Sequence, residues 1–426
     1  MSIKNWNTET ICIQGGYTPK SGEPRILPII QSTTYKYEDP DTVANLFDLK
    51  EEGHMYTRIS NPTVAAFEEK IAQLEGGVGA VAVSSGQSAT TLAVLNICSA
   101  GDHILASSNL YGGTFNLLSS TLKKLGIETT FVSPEASEEE ILKLAKDNTK
   151  IVLGETIGNP SVNILDFNKF SNVAKKIEVP FIVDNTLMTP YLCKPFEYGA
   201  NIVIHSATKY IDGHATSVGG VVIDGGNFNW ENGKFASLVD KDPTYHGISY
   251  TEEFKNLAYI TKLRVNLLRD LGTCLSPFNA FLFNLGLETL HLRMERHSEN
   301  ALKLAQFLQE HNKVAWVKYP FLKDDKSYEN AKKYLNNGAS GMLTFGIKGR
   351  TDQAKEFIKN LKLASLVIHI GDARTSVLHP SSTTHRQLSY EEQIASGVTE
   401  DLIRVSVGIE YIEDIIKDFE EALSKI

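Results

Sequence analysis

The chain has 426 residues, room for two or three domains of roughly 100 to 200 residues each, and 51 Asp and Glu against 42 Lys and Arg give a net charge of -9. That balance lacks the basic excess that neutralises a phosphate backbone, so nucleic acid is not an expected partner. With 42% hydrophobic and 22% charged residues, disorder and collagen-like repetition are excluded.

The N-terminus, Met1-Ser-Ile-Lys-Asn-Trp, has no apolar leader, and no run approaches the roughly 18 apolar residues of a membrane span. The four cysteines (Cys12, Cys98, Cys193, Cys274) are far apart without a CxxC pair, which suits a reducing compartment. The expectation is a soluble, cytoplasmic protein without a membrane or metal site.

From about residue 78, short apolar runs alternate with amphipathic segments, the pattern of a parallel sheet with crossover helices. Strands are predicted at Ala80–Val83, His103–Ala106, Thr129–Val132, Ile151–Leu153, Phe181–Val183, Ile202–Ile204 and Val221–Ile223. Helices are predicted near Ser88–Cys98, Thr114–Leu125, Ser137–Lys146 and Asn168–Lys176, and Ser137 followed by three glutamates reads as a helix start. Residues 225–254, rich in Gly, Asn and aromatics without a clear period, read as a long loop. A helical region at Phe254–Arg293 and a long helix at Met294–Glu310 come next. Gly341–Ile347 and Ala364–Ile370 read as strands and Tyr411–Ile426 as a helix, so the last third is expected to be a separate α+β domain.

The stretch Asn201-Ile-Val-Ile-His-Ser-Ala-Thr-Lys209-Tyr runs an apolar strand into Ser206, Thr208 and Lys209. Ligands of open α/β sheets bind at the carboxyl ends of strands, where a partly desolvated lysine can lose its proton and bind an aldehyde. Alone, the stretch fits a surface turn equally well. Pro180-Phe-Ile-Val-Asp184 ends a second buried strand in a carboxylate, 25 residues before Lys209. Pyridoxal phosphate needs such a pair: a lysine for its aldehyde and an acid to keep its pyridine nitrogen protonated. Asp184 alone would also serve as a helix cap. Val83-Ser-Ser85-Gly86-Gln87 links a strand to a helix start, where free N–H groups bind phosphate, and Ser206 and Thr208 add hydroxyls. Tyr111, before a Gly-Gly pair, is placed to stack on a flat ring or to pack under the turn.

Together with Tyr56-Thr-Arg58-Ile-Ser-Asn-Pro, Glu155 to Asn159-Pro160 and Leu402-Ile-Arg404-Val-Ser-Val-Gly, these motifs resemble, over nearly the whole chain, the Cys/Met-metabolism family of pyridoxal-phosphate enzymes. The resemblance implies fold type I: a seven-stranded, mostly parallel sheet with helices on both faces and a smaller C-terminal α+β domain. It divides the chain into an N-terminal segment (1–62) reaching a neighbouring subunit, a cofactor-binding large domain (63–265) and a C-terminal domain (266–426). It implies Lys209 as the covalent anchor and proton shuttle, Asp184 on the pyridine nitrogen, Tyr111 stacked on the ring and Asn159 on the ring oxygen. Ser85, Gly86, Gln87, Ser206 and Thr208 would hold the phosphate, joined by Tyr56 and Arg58 of a neighbouring subunit, which makes the protein a homo-oligomer, a tetramer by habit. Arg404 would bind the substrate α-carboxylate, with Tyr56 also beside the substrate.

Within the family, the 225–254 segment, with Trp230 and Pro243-Thr-Tyr-His246, resembles the insertion of O-acetylhomoserine sulfhydrylases. Gly113 stands where methionine γ-lyases carry a cysteine. Ile368-His369-Ile370-Gly371-Asp372 stands where cystathionine synthases and lyases read Glu-Ser-Leu-Gly-Gly. Ile368 cannot pair with the distal ammonium of cysteine or cystathionine, and an unpaired ammonium costs about 1–3 kcal/mol or more, so a small sulfur donor is expected. His379-Pro-Ser-Ser-Thr-Thr-His385 is also sulfhydrylase-like. His369 replaces the asparagine of the sulfhydrylases beside the carboxylate site, either donating in its place or packing under Arg404. The activity implied is γ-replacement on O-acetylhomoserine by sulfide, with cystathionine γ-synthase or γ-lyase chemistry as the alternative and a silent scaffold as the non-enzymatic one.

Overall fold

The computed structural model describes residues 6–336, 338–349, 351–384, 386, 389, 390, 393 and 397–426. All the strands expected between residues 80 and 223 form one seven-stranded sheet: β1 (Gly79–Val83), β2 (His103–Ser107), β3 (Glu128–Val132), β4 (Thr149–Glu155), β5 (Phe181–Asp184), β6 (Ile202–His205) and β7 (Gly220–Asp224). Their order is β1-β7-β6-β5-β4-β2-β3, and β7 alone runs antiparallel to its neighbours.

Both faces of this sheet are covered, which is why its strands read as apolar runs. Successive side chains alternate between two cores. Leu105, Val152, Val183 and Val203 join Phe67, Phe167 and Phe170 on one face. Ile104, Ile151, Ile182 and Ile202 join Leu92, Leu118 and Tyr259 on the other. The helix Glu138–Leu144 starts on a reciprocal cap, in which Glu140 N–H donates to Ser137 Oγ and Ser137 N–H donates to Glu140 Oε2. The helix expected at Thr114–Leu125 includes a π-type turn at Leu117–Thr121 between α-helical pieces.

The 225–254 segment departs from the expected loop. It carries the short helices Ala236–Val239 and Tyr250–Phe254 and a 3-10 turn at Pro243–Tyr245. Its aromatics have no period because they form a cluster instead of a helix face. Trp230 lies parallel to Tyr259 at 5.2 Å between centroids and meets Phe235 edge-on, filling the second core.

The smaller sheet has the order β10-β11-β12-β9-β8, with β8 (Val314–Lys318), β9 (Met342–Ile347), β10 (Ser365–Leu366), β11 (Ser376–Leu378) and β12 (Leu402–Ser406). It packs under the helices Leu290–Glu310 and Ile412–Leu423. The strand expected over Ala364–Ile370 is only Ser365–Leu366, after which the chain leaves the sheet and His369 approaches Lys209. His379 is held by Ser382 Oγ at 2.8 Å and Glu400 O at 2.9 Å, a structural role, and His385 lies outside the described residues. Among the described residues, no helix is long and apolar enough to cross a membrane.

Candidate active site

β6 ends at His205, and the turn Ser206–Lys209 follows it, with Lys209 N–H donating to Ser206 O. Lys209 Nζ lies 3.5 Å from His369 Nδ1. Burial, and then the charge of Arg404, lower the Lys209 pKa to about 8. Gly371 makes this approach possible. Its φ is +82°, and a Cβ there would come within 2.8 Å of Tyr210 N and 3.1 Å of the Lys209 carbonyl carbon.

Arg404, on β12, is buried, which pulls its pKa down to about 10 and leaves it charged. Its Nη2 donates to Ile368 O at 3.0 Å and its Nη1 to Asn159 Oδ1 at 3.4 Å. Two sheets thus meet here: Lys209 follows β6 of the large one, and Arg404 belongs to the small one. The 368–371 loop joins them.

Asp184 and Glu155 end neighbouring parallel strands in register. Thr186 N–H donates to Asp184 Oδ1 at 2.9 Å, and Tyr111 N–H donates to Glu155 Oε1 at 2.7 Å. Burial, then the charge of Asp184, push the Glu155 carboxyl well above the usual range. Burial also raises Asp184, while its bonds to Thr186 and the nearby His205 act the other way. Asn185 and His205, each next in the chain to a site residue or strand end, join a buried polar network. His205 Nε2 meets Glu75 Oε1 at 2.6 Å with both side chains fully buried, Asn185 Nδ2 donates to the same oxygen, and Thr156 Oγ1 donates to Asn185 Oδ1.

Ser85 caps the helix Gly86–Leu95 by accepting from Ser88 N–H, so Gly86 and Gln87 present the first backbone N–H groups of that helix. A Cβ on Gly86 would lie 2.6 Å from Ser206 Cβ, so glycine lets the two turns meet. The Thr208 hydroxyl both donates to Gly219 O and accepts from Gly219 N–H. Gly113 has a similar role. A Cβ there would meet the Tyr111 ring at 2.5 Å and the Gln87 amide at 2.9 Å.

Tyr56 and Arg58, expected to serve a neighbouring subunit, line a cleft of about 330 Å³ with Gln31, Thr33, Cys274 and Pro277. Tyr56 is 41% exposed, with the Arg58 guanidinium 5.2 Å from its ring centroid.

Residues 9–424 match the Cys/Met metabolism PLP-dependent enzyme family. The chain belongs to this family. It is 50% identical to the O-acetyl-L-homoserine sulfhydrylase of Leptospira meyeri, over 99% of this chain and 98% of the relative. It is 47% identical to the homocysteine synthase of Schizosaccharomyces pombe, over 99% of each. A crystal structure of an O-acetylhomoserine (thiol)-lyase from Campylobacter jejuni, which carries N'-pyridoxyl-lysine-5'-monophosphate, superposes with a TM-score of 0.95 at 37% identity, covering 98% of this chain and all of that one.

The donor set fits the pyridoxal phosphate of the family. A primary amine near neutrality, a carboxylate at the end of the next strand, exposed helix N–H groups and a ring kept free by Gly113 converge on the carboxyl edge of one sheet. Sequence reasoning gave no role to Glu155, His205, Asn185 or Glu75. His205 and Asn185 were within reach, because each adjoins a motif residue. Glu75 ends the helix Pro62–Glu75 and carries no local signal.

Proposed function

We propose that the protein catalyses γ-replacement on O-acetyl-L-homoserine: sulfide takes the place of acetate at Cγ, giving L-homocysteine and acetate within methionine biosynthesis. The observation that carries the choice of sulfur donor is Ile368, whose backbone oxygen accepts from Arg404 Nη2 and whose side chain offers no acceptor to the ammonium of a bulkier thiol. The names of the relatives support the same reading.

Bound pyridoxal phosphate supplies the electron sink for charge that develops at the substrate Cα. The chain does the rest. Arg404 takes the α-carboxylate with the planar fork of its guanidinium. Lys209, neutral above a pKa of about 8, removes the Cα proton and returns one later. Asp184 would pair with the pyridine nitrogen, Asn159 would hydrogen-bond the ring oxygen and Tyr111 would stack on the ring. Gly86, Gln87, Ser206 and Thr208 would hold the phosphate, with Ser85 capping the helix that offers its N–H groups. His369, between Lys209 and Arg404, donates to the substrate where the sulfhydrylases use asparagine. Tyr56 and Arg58 complete the site of a neighbouring subunit, so the working protein is a homo-oligomer, a cytoplasmic homotetramer.

Mass spectrometry of products from O-acetyl-L-homoserine with sulfide, with cysteine and with neither tests this. Homocysteine dominates with sulfide, and Lys209→Ala forms none. Cystathionine dominating with cysteine would make the enzyme a cystathionine synthase, and oxobutyrate in every arm would make it a lyase.

A further inference from the structure

The 225–254 segment touches the N-terminal segment at His246, whose Nε2 lies 3.4 Å from Asp48 Oδ1. A chain of polar links runs from the same segment at Tyr245. The buried Tyr245 hydroxyl donates to Val265 O at 2.7 Å and accepts from Arg269 Nη1 at 2.7 Å. The Arg269 guanidinium also stacks on the Tyr245 ring, 5.0 Å from its centroid, and its Nε is held by Asp270. Arg58 Nη1 in turn donates to the Arg269 carbonyl oxygen, and the Arg58 stem passes Gly272.

We propose that Tyr245 is a positioning residue for Arg58: by clamping Arg269 from both its edge and its face, the inserted segment sets where the Arg58 guanidinium is held. The inference rests on the reading of Arg58 as a phosphate ligand. A guanidinium on a flexible side chain loses rotational freedom on binding an anion, and one already held by a fixed carbonyl loses less. The segment therefore acts on cofactor affinity without touching the cofactor. The same stretch reaches the phosphate turn of its own chain, since Ser84 N–H donates to Thr273 O at 2.8 Å. Residues 269–273 thus link Arg58 to the Ser84–Gly86 turn.

The test is the affinity of cofactor-stripped full-length protein for pyridoxal 5'-phosphate and for pyridoxal, which lacks the phosphate, read by absorbance titration. Arg58→Gln weakens pyridoxal phosphate at least tenfold and leaves pyridoxal unchanged. Tyr245→Phe, which keeps the ring and removes the hydroxyl, weakens pyridoxal phosphate three- to tenfold, again without moving pyridoxal. Arg269→Lys does the same. The double variant Arg58→Gln/Tyr245→Phe binds no more weakly than Arg58→Gln, because the hydroxyl acts through Arg58. If Arg58→Gln weakens pyridoxal phosphate but Tyr245→Phe does not, or if Tyr245→Phe weakens both ligands alike, the positioning role is wrong and the reading of Arg58 stands. An unchanged affinity in Arg58→Gln overturns both.

Discussion

Glu155 and Asp184 stand side by side in register at the ends of β4 and β5, each held by one backbone N–H, from Tyr111 and Thr186 respectively. Two buried carboxyls so placed do not share charge evenly. Asp184 has the hydrogen bonds and the nearby His205 that favour its anion, while burial and the Asp184 charge push the Glu155 carboxyl well above the usual range. A neutral Glu155 still accepts from Tyr111 N–H, and this fixes the turn that carries the ring.

Glu155→Gln and Glu155→Leu separate these roles. Glutamine keeps a neutral acceptor, so kcat/KM stays within about threefold of the parent. Leucine leaves the Tyr111 N–H unpaired, a cost of about 1–3 kcal/mol, and kcat/KM falls about 10- to 100-fold. Steady-state kinetics on the two variants decides it, and equal losses would mean that the Glu155 charge itself is used.

Arg404→Lys tests the fork. An ammonium cannot hold Ile368 O and Asn159 Oδ1 and also meet a carboxylate with two parallel bonds. The KM for O-acetyl-L-homoserine rises about 10- to 100-fold, with a smaller fall in kcat. An unchanged KM would place the carboxylate elsewhere.

Asp224, at the end of β7, gives a stability prediction with a defined sign. Its Oδ1 accepts from Gly226 N–H, while Oδ2 is buried and has no partner among the described residues. Burial raises this carboxyl from its ordinary value of 3.8 to about 7. Between those pH values the folded chain keeps a proton that the unfolded chain releases, so this group's contribution to stability falls as pH rises through that window. Asp224→Asn removes the loss. Its urea midpoint exceeds the parent's by an amount that grows from pH 4 to 7 and then levels, worth about 4 kcal/mol for a shift of this size. A constant difference across that range would show that Asp224 does not titrate there.

The large sheet was legible because strands buried on both faces are continuous apolar runs, and the turn that begins at Ser206 and ends at Lys209 was legible because polar groups interrupt such a run at its carboxyl end. The 225–254 segment was not, because Trp230, Phe235 and Tyr259 meet as a cluster whose partners are far apart in sequence. The Glu75–His205 pair was hidden for the same reason: 130 residues separate two groups that touch at 2.6 Å. Ala364–Ile370 has the composition of a strand, but only Ser365–Leu366 pairs in the sheet and His369 lies 3.5 Å from Lys209 instead, a long-range placement that local propensity does not encode.

His369 offers the sharpest test of the substrate side of the site. Burial first, then the charges of Lys209 and Arg404, lower its pKa below 6.5, so it is neutral through the working range. Its Nδ1 lies 3.5 Å from Lys209 Nζ, and its Nε2 is buried and without a partner among the described residues, so Nε2 is the ring atom left for the substrate. A neutral imidazole with its proton on Nε2 is a hydrogen-bond donor, the same service that an asparagine amide gives. His369→Asn therefore keeps kcat/KM within about fivefold of the parent, and the ratio of the two stays constant from pH 6.5 to 9 because neither side chain changes charge there. His369→Leu removes the donor and lowers kcat/KM by about 10-fold or more. A ratio between the His369→Asn variant and the parent that changes across pH 7 would show that His369 carries a proton during turnover and is not a fixed donor.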